Sequence, residues 1–169
     1  MKTASSIDMR VLILGIGNPD RGDDGVGPLV IEYLAGRLPS DVDVRVRTGD
    51  VLALIDEWMD FQSVIVIDAA ASMGAPGRVH RVDALHETLP TPPLPASSHA
   101  FGLAEVLGLA QALENAPAEV VVYAIEGENF ETGAAMTAKV QAAARIVADK
   151  VVGEVSQVPQ LHEEVNTHA

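Results

Sequence analysis

The segment Val11-Leu12-Ile13-Leu14-Gly15-Ile16-Gly17-Asn18-Pro19-Asp20-Arg21-Gly22-Asp23-Asp24-Gly25-Val26-Gly27-Pro28 constrains this chain more than any other stretch. An aliphatic run that meets Gly-x-Gly reads as a buried strand, starting near Met9, that turns sharply into a loop. Nucleotide-binding α/β sheets open in the same way, but the continuation here differs. A dinucleotide fingerprint needs a third glycine at position 20, which is Asp, and a P-loop needs a Gly-Lys-Ser/Thr that never comes. Asp20, Asp23 and Asp24 would set any phosphate among like charges. The loop therefore repels phosphate and suits a cation.

The remaining periodicities place this loop in a sheet. Residues 29, 30, 31, 34 and 38 are apolar and predict a helix over Pro28–Leu38, with Pro28 suited to its first turn. Val42, Val44 and Val46 alternate with charged residues as a half-exposed strand. A helix is expected over Val51–Met59 and a fully apolar strand over Ser63–Asp68. Gly77–Val82 alternates and is expected as an antiparallel edge strand. Residues 83–98, with prolines at 90, 92, 93 and 95, read as an irregular loop. Helix Ala100–Leu113, strand Val120–Ile125 and a long helix Gly133–Val152 complete the series.

Apolar strands separated by helices imply an α/β fold. It is a three-layer α/β/α sandwich on a mostly parallel twisted sheet with one antiparallel edge strand. With 169 residues, one domain over 9–152 is expected, between a flexible leader (1–8) and a flexible polar tail (153–169).

Composition removes several classes of function. The net charge of −13 speaks against a nucleic-acid or anionic-membrane partner, both of which need a basic footprint. The chain has no cysteine, which excludes disulfides, thiolate zinc sites, cysteine-ligated clusters and a cysteine nucleophile. No apolar run reaches the roughly 18 residues of a membrane span. Cytoplasm is the default compartment and a monomer the default state.

In open parallel sheets, functional groups gather beyond the carboxyl ends of the strands. That rule selects the loop Asn18–Asp24, Asp68 at the end of its strand, and His99, provided its loop returns to the same rim. Each has an ordinary structural role too. Asp23 or Asp24 can cap a helix, though one cap leaves the other carboxylate unexplained. Asp68 can cap the following turn, and His99 can be a solvated helix-start residue. His86 is a weaker rival; His80 falls in the edge strand, and His162 and His168 lie in the tail. Two carboxylates and an imidazole form a set suited to zinc, nickel, iron or manganese, with positions open for water or substrate. A serine triad is disfavoured, because Ser97 and Ser98 are too close to His99 in sequence and no Gly-x-Ser-x-Gly elbow exists.

Taken together, these residues resemble the hydrogenase maturation proteases, endopeptidases that trim the C-terminus of a nickel-iron hydrogenase large subunit. The resemblance is carried by Gly15-Ile16-Gly17-Asn18, Asp23-Asp24-Gly25-Val26-Gly27, Val64-Ile65-Val66-Ile67-Asp68-Ala69 and His99-Ala100-Phe101-Gly102-Leu103-Ala104-Glu105-Val106-Leu107. It implies that Asp24, Asp68 and His99 bind a metal, with Asp24 and Asp68 as shared catalytic candidates. Some members carry Glu at the position of Asp24. Many have Asp-Gly-Gly where this chain has Thr48-Gly49-Asp50, so Asp50 receives no role, and none passes to Ile125–Asn129. The implied substrate is a nickel-loaded precursor whose metal the protease reads; zinc or cadmium can substitute in the site. The identity of the general base stays open. Crowding of Asp20, Asp23 and Asp24 is expected to raise at least one carboxyl pKa. The rival classes are a metal-dependent hydrolase of small peptides or amides and a non-catalytic Rossmann-like binding module.

Overall fold

The computed structural model describes residues 10–88 and 98–157, apart from the side chains of 98–101. The described residues form five strands and four helices. They are β1 (Val11–Ile16), α1 (Val26–Leu34), β2 (Val42–Arg47), α2 (Leu54–Trp58), β3 (Ser63–Ala70), β4 (Val79–Asp83), α3 (Ser98–Ala112), β5 (Glu119–Glu126) and α4 (Ala138–Gln157). The sheet order is β2-β1-β3-β5-β4. All neighbours are parallel except β4 against β5, so the expected antiparallel edge strand is present.

Strand alternation builds two cores. Ile13, Ile65, Ile67, Tyr123 and Ile125 point towards α1 and α4, where Val140, Ala144, Val147 and Val151 meet them. Leu12, Leu14, Val64, Val66 and Val122 point the other way, onto Leu54 and Trp58 of α2 and Leu103, Val106 and Leu107 of α3. Most of these aliphatics are wholly buried, and each contributes about 1.5–3 kcal/mol relative to exposure. The result is the three-layer sandwich.

Several element boundaries differ from expectation for identifiable reasons. Helix α1 stops at Leu34, four residues short of Leu38, because Gly36 with φ +74 turns the chain just beyond its cap. The helix expected over Val51–Met59 splits into a 3-10 turn (Val51–Ala53) and the short α2. Helix α4 starts at Ala138 rather than Gly133, whose φ of +80 lies outside the helical region. It then runs to Gln157, past the expected end at Val152 and through Gly153. Val155 is buried there, and Glu154 accepts hydrogen bonds from Arg81 Nε (2.5 Å) and from the Tyr123 hydroxyl. Those anchors exceed the roughly 1 kcal/mol that a mid-helix glycine costs. Residues 153–157 are thus helix, and the tail boundary is corrected accordingly. Residues 1–9 and 158–169 lie outside the described residues, as does most of the proline loop.

Candidate functional site

Strand β1 is followed on one side by β2 and on the other by β3, so the sheet reverses direction at the carboxyl ends of β1 and β3. Such a switch point opens a crevice. Two glycines draw the loop after β1 into it. Gly17 has φ +142, and a Cβ there would lie 1.8 Å from the carbonyl oxygen of Asp24. A Cβ on Gly27 would stand 2.3 Å from the carbonyl oxygen of Ile16 and 2.6 Å from that of Ile67. Bare backbone at both positions lets the start of α1 sit directly on β1 and β3.

Asp24 belongs to the 3-10 turn Gly22–Gly25 between β1 and α1 and is buried. Its Oδ2 accepts the backbone N–H of Asn18 at 2.9 Å, which fixes the carboxylate over the crevice. Asp68 is buried as well. It does not end its strand, since β3 continues to Ala70. Its parity with Val64 and Val66 directs it to the face covered by α2 and α3. Burial pushes the Asp68 carboxyl well above its usual range; the N–H of Ala69, 2.8 Å from Oδ1, opposes this, and the negative charge of Asp24 adds to it. The structure therefore brings Asp24 and Asp68 within electrostatic reach of each other at the switch point.

His99 lies in the first turn of α3, and its side chain is outside the described residues. The position of that turn follows from topology. Helix α3 leads into the parallel strand β5, so its far end is at the amino rim and its start at the carboxyl rim. The packing of Gly102 agrees: a Cβ there would meet Val51 at 2.6 Å, in the turn just beyond β2. The His99 backbone is thus at the rim that holds Asp24 and Asp68, on the face to which Asp68 points. Among the described residues no three His, Asp or Glu side chains form a metal-binding group, so the carboxylate pair alone is an incomplete set.

The other candidates separate from this site. Asp23 is a wholly buried fastener. Its Oδ2 accepts the N–H groups of Glu128 (2.9 Å) and Asn129 (3.1 Å), and its Oδ1 accepts the N–H (2.7 Å) and hydroxyl (3.0 Å) of Thr137. Thr137 immediately precedes α4, so Asp23 caps that helix from far along the chain. Asp20 is exposed. The expected crowding of three carboxylates is dispersed in this way, and the carboxyl held high is Asp68. His86 hydrogen-bonds Asp83 at 2.9 Å beyond the end of β4, at the opposite rim, beside a cleft of about 370 Å³. Asp50 accepts the N–H of Leu52, a capping role. Ser97, His162 and His168 lie outside the described residues, as does the side chain of Ser98.

One constellation escaped the sequence reading. Glu126, wholly buried at the end of β5, accepts His80 Nε2 at 2.7 Å and the N–H groups of Met73 (3.0 Å) and Ala75 (3.1 Å). Its one sequence signal was an acid ending an apolar strand, the pattern that marked Asp68.

Known proteins resemble this chain in both sequence and fold. The profile of a family described as hydrogenase maturation protease matches residues 30–154. The Hydrogenase 2 maturation protease of Escherichia coli (strain K12) is 26% identical over 157 residues, covering 88% of this chain and 92% of that protein. The solved structure of the hydrogenase maturating endopeptidase HybD from E. coli superimposes with a TM-score of 0.75 at 24% identity, over 89% of this chain and 94% of that one. The [NiFe] hydrogenase maturation protease HybD from Thermococcus kodakarensis gives 0.63 at 26% identity, over 85% and 99%. With three quarters of its length inside the family's profile and the family's α/β sheet intact around the switch-point carboxylates, the chain belongs to the hydrogenase maturation proteases, enzymes that hydrolyse peptide bonds.

Proposed function

We propose that this endopeptidase removes a C-terminal extension from the large-subunit precursor of a nickel-iron hydrogenase, and that it reads the nickel already carried by that precursor through Asp24, Asp68 and His99. The observation that carries this reading is the pair of buried carboxylates at the switch point. Burial and mutual charge make the pair costly without a cation. A cation delivered by the substrate relieves that cost only when the substrate is loaded. The donor set is compatible with that ion: two carboxylate oxygens and an imidazole suit nickel, as they do zinc, iron or manganese.

Docking through the nickel fixes the scissile peptide relative to the protease. Positioning of this kind supplies several kcal/mol of barrier reduction, part of the roughly 7–11 kcal/mol available to well-oriented reactions. The nucleophile is a water activated by the site. We place this processing in the cytoplasm, by a monomer.

The test is cleavage of nickel-loaded and nickel-free precursor by the wild type and by Asp24→Asn, Asp68→Asn and His99→Ala. Loss of cleavage in each variant, and cleavage of loaded precursor alone by the wild type, is the expected outcome. Wild-type rates in all three variants would refute the site. Equal cutting of nickel-free precursor would refute metal reading while leaving the protease intact. Turnover of short peptides without precursor would favour a small-peptide hydrolase.

A further inference from the structure

We propose that His80, oriented by Glu126, is the proton carrier of the peptide cleavage. This rests on the function proposed above and supplies the general base that the sequence left open. The register places His80 of β4 beside Ala124 of β5, and Ala124 beside Asp68 of β3. All three side chains share the face covered by α3, because Ala124 packs there and residues paired across strands point the same way. His80 and Asp68 are therefore two strand spacings apart, with backbones about 10 Å from each other. Ala124, buried in the core beneath α3, stands between them in that row.

The pair is built for proton transfer rather than for stapling alone. Glu126 is wholly buried and at the same rim as Asp68. Burial alone would raise its carboxyl, but the bonds from His80, Met73 and Ala75 outweigh that and hold it below the usual range. An ionised Glu126 accepts, so His80 Nε2 carries the hydrogen and Nδ1 presents its lone pair. The His80 side chain keeps 25% of its surface exposed, whereas its partner has none. A buried carboxylate that orients a half-exposed imidazole is the arrangement a general base needs.

Other titratable groups near the ring are few. Asp68 faces the same side from β3. Arg78, next to β4, is exposed. The inward residues of α3 are the apolar Leu103, Val106, Leu107 and Ala110. The segment 89–97 has no titratable residue, and His99 is the one such residue in 98–101. In the step itself, water loses a proton to Nδ1 as its oxygen bonds the scissile carbonyl carbon. The imidazolium, paired with Glu126, then gives that proton to the leaving nitrogen as the C–N bond breaks. The products are a carboxylic acid and an amine, and His80 returns neutral.

Single-turnover cleavage of nickel-loaded precursor, measured against pH for wild type, His80→Gln, Glu126→Gln and Asp68→Asn, tests the assignment. His80→Gln should lower the rate about 100-fold or more and lose the acidic limb of the profile. Precursor binding and Tm should stay near wild type, and added imidazole should restore part of the rate. Glu126→Gln should lower the rate without weakening precursor binding, because the imidazole loses the group that orients it; a purely structural pair would lower Tm and leave the rate of the folded enzyme unchanged. A wild-type rate and profile in His80→Gln, with Asp68→Asn inactive, overturns the role of His80 and leaves the carboxylate site standing. Wild-type cleavage by Asp68→Asn overturns the site itself, and with it the placement of His80 beside it.

Discussion

Replacing Asp23 should unfasten the far side of the site's own loop, and the cost can be worked from its hydrogen bonds. In Asp23→Ala three backbone N–H groups lose their acceptor: those of Glu128, Asn129 and Thr137. A buried orphan donor costs about 1–3 kcal/mol. Glu128 is exposed and the other two half-buried, so water recovers part of the loss and the low end applies. About 0.5 kcal/mol more goes with the negative charge at the start of α4. The expected destabilisation is about 3–4 kcal/mol, a large part of the 5–15 kcal/mol typical of a domain. Asp23→Asn keeps an acceptor for Thr137 but turns an amide towards Glu128 and Asn129, and should cost about 2 kcal/mol. Urea unfolding followed by the fluorescence of Trp58, the chain's single and wholly buried tryptophan, measures both. A loss below about 1 kcal/mol in Asp23→Ala would show that the four contacts do not fasten the loop.

The remaining predictions concern the crevice. Gly17→Ala puts a methyl 1.8 Å from the Asp24 carbonyl at φ +142, and should cost at least about 3 kcal/mol or prevent folding. Gly49→Ala, where a Cβ meets nothing within 4 Å, should stay within about 0.5 kcal/mol by the same urea measurement. Asp68 has a folded-state pKa raised above its ordinary 3.8, by burial first and by Asp24 in addition. A raised acid favours folding below that ordinary value and loses the contribution as pH climbs through the folded one. Asp68→Asn, which mimics the protonated form, should therefore melt above wild type at neutral pH and converge with it near pH 3.8. Nickel or cadmium should raise the Tm of wild type and leave Asp68→Asn unchanged; an equal rise in both would place the ion elsewhere.

How much of this was legible in the sequence depends on the range of the interaction that decides each feature. The strand Val11–Ile16, the Gly-x-Gly turn and the edge strand near Val79–Asp83 rest on local alternation and bare-backbone turns, and the structure bears them out. The end of α4 was missed because a distant partner decides it. Helix α4 reaches Gln157 because Arg81 and Tyr123, on other strands, bind Glu154. The adjacent pair Asp23-Asp24 shows the limit best. Both are buried aspartates in the same turn, and no local rule separates them. What separates them is that Asp23 meets Thr137, 114 residues away, while Asp24 lies over the crevice beside Asp68.

His80 and Glu126 are separated by the same kind of distance. An alternating edge strand gives no hint of which parity faces the site; that depends on pairing with β5, which sets His80 in one row with Ala124 and Asp68. The buried acids at the carboxyl rim thus divide by what they hold. Asp23 is saturated by backbone donors and an uncharged hydroxyl, and so fastens the fold. Glu126 binds two backbone donors and one imidazole, which leaves a titratable group at its far end. Asp68 accepts the N–H of Ala69 and feels the repulsion of Asp24, so it gains most from a cation. Charge placed where the fold itself cannot neutralise it is stability given up, the cost that the nickel-reading role proposed for Asp24 and Asp68 would repay.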